Sequence, residues 1–157
     1  MQNFNQKIEN WDEVLVSWAG RIAVPFARFA IFAVYVYFGA IKIFSANGAA
    51  NPLIIALLNK TMPTVAPEPF LIAFGVLEII IGLIFITPSL TRLGLFLLAF
   101  HFITTILPLF ILPELTWQGL GIPTLEGQYI LKNILIVSLA VIILASLPVL
   151  KESKANV

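Results

Sequence analysis

Apolar residues first recur at helical spacing along this chain and then become almost continuous. Over residues 1–22 they fall at Phe4, Ile8, Trp11, Leu15 and Trp18, with Glu9, Asp12 and Glu13 between them. That spacing predicts a short amphipathic helix on the membrane surface, its tryptophans at headgroup level. A partly ordered tail is the alternative, and the three acids argue against strong attraction to anionic lipid. Four apolar blocks follow, at Ala23 to Phe44, Phe70 to Ile86, Leu93 to Leu112 and Gln128 to Leu147. Each holds about 17–22 residues, which at about 1.5 Å per residue matches a hydrocarbon core about 30 Å thick. The blocks are continuously apolar, as membrane helices are, whereas barrel strands would alternate in segments of about ten residues.

The connections complete an all-α, integral-membrane, antiparallel four-helix bundle. A short apolar piece, Pro52 to Leu58, lies between Asn51-Pro52 and Met62-Pro63; it is too short to span and predicts a capping helix in the first external loop. The second external connection, PELTWQGLGIPTLEGQ, is rich in Pro and Gly. The turn TPSLTR is short enough to make spans two and three a helical hairpin. The resulting division is a cytoplasmic amphipathic segment at 1–22, a transmembrane domain at 23–150 and a cytoplasmic tail at 151–157.

Composition agrees. The chain is 60% hydrophobic and 11% charged, with a mean hydropathy of +1.01, far from the balance of soluble domains. The first apolar block is too long for a signal-peptide core and is read as a retained span. Lys7 and Arg21 precede the first span and Arg28 lies near its start, Arg92 sits in the inner turn, Lys151 and Lys154 follow the fourth, and Lys60 is the one basic residue in the other connections. The positive-inside rule then places both termini in the cytoplasm. The chain has no cysteine, which excludes disulfides, a thiol relay and an iron–sulfur site on its own residues. The single histidine, His101, excludes a haem held by two histidines of one chain. A net charge of +1 without a basic cluster gives no support for nucleic-acid binding.

Polar residues inside the spans hold the candidate chemistry, because a charge at mid-bilayer costs about 2.5–3.5 kcal/mol on insertion scales. At about 100° per residue, Arg28, Tyr35, Gly39 and Lys42 share one stripe of the first helix. The matching faces hold Leu71, Gly75, Glu78, Gly82 and Phe85 on the second, and Gly94, His101, Thr105 and Pro108 on the third. On the fourth, Gln128 aligns with Lys132 and Tyr129 with Asn133. Small residues beside polar ones mark inward, closely packed faces. The expected constellation is Lys42, Glu78 and Lys132 in the outer half of the bundle, with His101 at the depth of Glu78, Asn133, Tyr129 and Tyr35 as hydrogen-bonding neighbours, and Glu126 at the mouth. Other readings stand beside it. Lys42 can snorkel to the headgroups, the cluster can be an ion pair that only fixes helix register, and His101 can be a packed residue bonded to a backbone carbonyl.

The segments YFGAIKIF, FGVLEIIIGLIFI, TRLG and TLEGQYILKNI, in this order on four spans, resemble the DoxX-like membrane proteins, including the YkgB branch. The likeness runs from about Arg28 to Leu147, and by motif match it carries over Lys42, Glu78, Arg92, Glu126, Gly127, Lys132 and Asn133. It implies a four-helix inner-membrane bundle. It also implies an association with the membrane subunit of thiosulfate:quinone oxidoreductase, or, for the YkgB branch, with protection against reactive chlorine. The expected function is a non-catalytic subunit that binds a quinone or another small ligand among Lys42, Glu78, Lys132, Asn133, Tyr35, His101 and Glu126, works with a redox partner and needs no metal. A small-solute or anion transporter and a structural accessory subunit are the alternatives.

Overall fold

The computed structural model describes residues 2–45 and 51–149; the expected tail at 151–157 lies outside the described residues. Four helices are long and apolar enough to cross a membrane, over Gln6–Phe44, Pro67–Phe85, Pro88–Ile111 and Leu125–Ala145. The chain is mostly helical, and these four apolar helices are compatible with a multi-pass membrane bundle.

The first helix, α1, runs from Gln2 to Phe44 with Pro25 inside it. Residues 2–22, expected as a short amphipathic helix ahead of the first span, run on into that span as one helix, which is about 65 Å long at about 1.5 Å per residue. A lone proline removes one backbone hydrogen bond, and neither a glycine nor a capping residue follows Pro25 to end the helix there. Only about half of α1 therefore fits within a hydrocarbon core.

Helix α3 (Pro67–Phe85) runs antiparallel to α1. The two backbones meet at glycines. A β carbon on Gly39 would lie 2.6 Å from the Gly75 carbonyl oxygen, one on Gly75 would lie 2.7 Å from that of Gly39, and Gly82 sits under Val36 and Phe32. The expected interior face of α3, Leu71, Gly75, Glu78, Gly82 and Phe85, is buried throughout. A 3-10 turn at Pro88–Leu90 reverses the chain into α4 (Thr91–Ile106), forming the expected hairpin. Arg28 fastens α1 to this turn by donating to Thr91 Oγ1 (2.6 Å) and to the Phe85 carbonyl (3.3 Å). Above it lies the apolar core of Ala27, Ile31, Ile81, Phe85, Leu98 and Ile143.

At the opposite end α2 (Asn51–Thr61) forms where the capping helix was expected and buries Leu58. Short helices α5 (Pro108–Ile111) and α6 (Pro113–Thr116) lead into a two-stranded hairpin, β1 (Trp117–Gly119) with β2 (Ile122–Pro123), in a connection whose sequence reads only as Pro/Gly-rich loop. Gly121 turns it with a φ of 74°, which L side chains rarely adopt. The fourth span is divided into α7 (Leu125–Lys132) and α8 (Ile134–Ala145), with Asn133 between them. Thr124 caps α7 by accepting from the Gly127 amide at 3.1 Å.

Lys60 on α2 meets Glu114 on α6 at 3.2 Å, and both are exposed. The Glu114 carboxyl is held below the usual carboxylate range, first by its own backbone amide and then by Lys60. Its charged form is the one favoured in the fold, so the contact is present at neutral pH and is lost as pH falls through the lowered value. Exposed pairs contribute little. In a side-chain NMR titration Lys60→Met should therefore raise the Glu114 midpoint only part of the way to that of a free glutamate.

Candidate functional site

The crossing of α1 and α3 places the two central charges. In a helix every Cα–Cβ bond tilts toward the N-terminus. The helices are antiparallel, so Lys42, one turn beyond Gly39, and Glu78, one turn beyond Gly75, lean toward each other across the glycine contact. Gly75 leaves room for the lysine stem, since the Lys42 β carbon lies 3.2 Å from where a Gly75 β carbon would stand. The ammonium donates to Glu78 Oε2 at 2.7 Å and to Oε1 at 3.0 Å. Lys42 keeps 7% of its surface exposed and Glu78 6%. Lys42 thus turns inward; it does not snorkel.

His101 brings in α4. Its Nε2 lies 3.1 Å from Glu78 Oε1 and its Nδ1 lies 3.1 Å from the Tyr35 hydroxyl. A carboxylate only accepts, which assigns the proton to Nε2; Nδ1 of a neutral ring then accepts from Tyr35. Thr105 Oγ1 lies 3.3 Å from Nδ1, but its proton goes to the His101 carbonyl at 2.9 Å. His101 is therefore bonded through both ring nitrogens to side chains, and its own carbonyl also accepts from Thr104 at 2.7 Å. Phe74 covers the ring, stacked at 4.9 Å between centroids, and the Lys42 ammonium lies 5.8 Å from the Phe74 centroid. Tyr35 and His101 are buried as well.

Four ionisable groups from three helices thus form one unbroken line, Tyr35–His101–Glu78–Lys42, with an aromatic cover. Each member is at hydrogen-bonding distance from the next, so a proton that reaches His101 Nδ1 can be matched by release of the Nε2 proton to Glu78, with Tyr35 keeping its own proton.

The remaining expected residues lie elsewhere. Lys132 is exposed, its ammonium 5.0 Å from the Tyr129 ring centroid, and it makes no ion pair among the described residues. Glu126 and Tyr129 are exposed, and Asn133 is half-buried at the break between α7 and α8. The physical reason is the orientation of α7. Gly127 and Ile130 are its buried positions, and Lys132 projects about 140–200° away from them. The polar side of that helix is its outer side. Phe74 is the cluster residue that sequence reasoning missed; its one signal is its position one turn before Glu78.

Fold and site together define a helical chain with four helices long and apolar enough to cross a membrane and a buried Tyr–His–Glu–Lys line. Comparison with known proteins finds no matching family model, no matching curated protein and no matching solved structure. Among the described residues no group of three or more His, Cys, Asp or Glu side chains is placed to hold a metal ion.

Proposed function

We propose that this chain is a DoxX-like subunit of the bacterial inner membrane, with both termini cytoplasmic, that binds a quinone or similar carbonyl ligand at the Lys42 end of the cluster and exchanges protons with it. The reading is carried by the engagement of His101 through both ring nitrogens. A Lys42–Glu78 pair alone would fix the register of α1 and α3, and an imidazole bonded to it adds a group that can take up a proton on one nitrogen and release one from the other. The Lys42 ammonium has three protons and gives two to Glu78, which leaves one for a ligand carbonyl. The electrons belong to a partner, because a chain with one histidine and no cysteine has few ligands with which to build a redox centre.

The test is binding of a short-chain benzoquinone analogue to the purified protein in nanodiscs, followed by tryptophan quenching. Lys42→Met is expected to weaken binding about tenfold or more, equivalent to about 1.4 kcal/mol. Lys60→Met, at the exposed pair, should bind as the unaltered protein does. Tyr35→Phe keeps the ring and should retain binding while slowing ligand-linked proton uptake. Equal affinity of the unaltered protein and a folded Lys42→Met would rule out this siting.

A further inference from the structure

Among the described residues, the part of α1 that precedes the bundle packs against no other element. Every residue from Gln6 to Arg21 is exposed, and Ile8, Trp11, Leu15 and Trp18 leave between 52% and 62% of their surface open. Full burial of side chains of this size is worth about 1.5–3 kcal/mol each. An isolated helix of this length is marginal in water. The stripe therefore calls for an occupant.

Two observations select it. The first is that α1 passes through Pro25 without a break. A segment lying flat on a membrane that its own continuation crosses must turn through roughly 90°, far beyond a proline kink, and that turn would interrupt the helix. The second is the spacing of the stripe. Ile8, Leu15 and Ile22 are seven residues apart, as are Trp11 and Trp18, so the two sets occupy the a and d positions of a heptad. This puts Lys7 at g and Asp12 at e. In two parallel helices a g residue of one faces the following e residue of the other, so Lys7 meets Asp12. Neither makes an ion pair within the chain among the described residues. Two copies threaded through one membrane in the same sense present parallel helices, the orientation that this pairing needs. Toward the bundle the same side of α1 continues into Phe26 and Phe29, which are 65% and 56% exposed.

We propose that the first half of α1 pairs with the same segment of a second copy as a parallel two-stranded coiled coil, seamed by Ile8, Trp11, Leu15 and Trp18 and keyed by Lys7 against Asp12. The assembly is a two-fold dimer whose axis runs along the membrane normal. Each copy keeps its own Tyr35–His101–Glu78–Lys42 line, so the dimer does not depend on what that line binds.

The absence of cysteine from the chain makes the test direct. In the full chain in its membrane, Leu15→Cys on the seam should cross-link to a covalent dimer under mild oxidation, whereas Glu13→Cys, on the opposite side of the helix, should not. Lys7→Glu should reduce the Leu15→Cys cross-link several-fold, and Lys7→Glu with Asp12→Lys should restore it. Equal cross-linking at the two positions, no cross-linking at either, or failure of the double exchange to restore it would overturn the proposal. Quenching of Trp11 and Trp18 by brominated lipid without cross-linking would assign the stripe to the membrane surface and overturn it as well.

Discussion

Replacing Glu78 by alanine is expected to lower the unfolding free energy by about 3–5 kcal/mol, the range for breaking a buried ion pair from one side. The carboxylate accepts from Lys42 through both oxygens and from His101 through one. Its removal leaves an ammonium and a ring N–H without an acceptor at a site where water is scarce. The loss comes from these orphaned partners rather than from the net worth of the pair, because desolvation offsets much of the Coulomb attraction. The double variant Lys42→Met/Glu78→Leu, which removes both charges and fills the volume, should accordingly recover most of the stability. Reversible unfolding of the single and double variants in mixed micelles measures both. A double variant no more stable than Glu78→Ala would show that the pair, and not the unpaired charge, holds the helices together.

The second large effect is expected at the helix crossing. Gly39→Ala puts a β carbon 2.6 Å from a backbone oxygen and 2.9 Å from the Ile79 side chain, and the backbone oxygen cannot rotate away as a side chain can. The helices must separate locally, at a cost of about 1–3 kcal/mol and toward the upper end, since overpacking here meets main chain on the facing helix. Separation also lengthens the reach from Lys42 to Glu78, so the proposed ligand binding should fall together with stability. Gly119→Ala, in the hairpin where no atom lies within 4 Å of the added carbon, should change stability by no more than about 0.5 kcal/mol. If Gly39→Ala unfolds no earlier than Gly119→Ala, the close crossing does not contribute to stability as described.

The dimensions and the interior faces were legible in the residues. Runs of apolar residues matched to bilayer thickness mark the spans. Glycines at Gly39, Gly75 and Gly82 on the same faces as Lys42 and Glu78 mark where helices approach. The same reasoning failed on α7, where Lys132, Tyr129 and Gln128 line a side that faces outward. A polar stripe shows that a helix has two sides, but which side turns inward depends on what the neighbouring elements offer, and there Gly127 is drawn against the Thr116 carbonyl. The segment at 1–22 is a related case. Its period is real, but a period does not say whether the helix stops before Pro25.

By itself the sequence determined that the chain carries four helices long and apolar enough to cross a membrane, that the hairpin of α3 and α4 is antiparallel, and that Glu78 lies on an inward face, while it left open whether Lys42 turns inward or snorkels. These follow from local period, span length and the cost of charge in hydrocarbon, all of which act along one helix at a time. Only the tertiary structure decided that Tyr35 and Glu78 meet the two nitrogens of His101, that Lys132 is left out, and that Phe74 covers the ring. Those contacts join residues 23 to 66 positions apart, and they depend on the crossing and rotation of whole helices, which close packing between helices sets and no single segment contains.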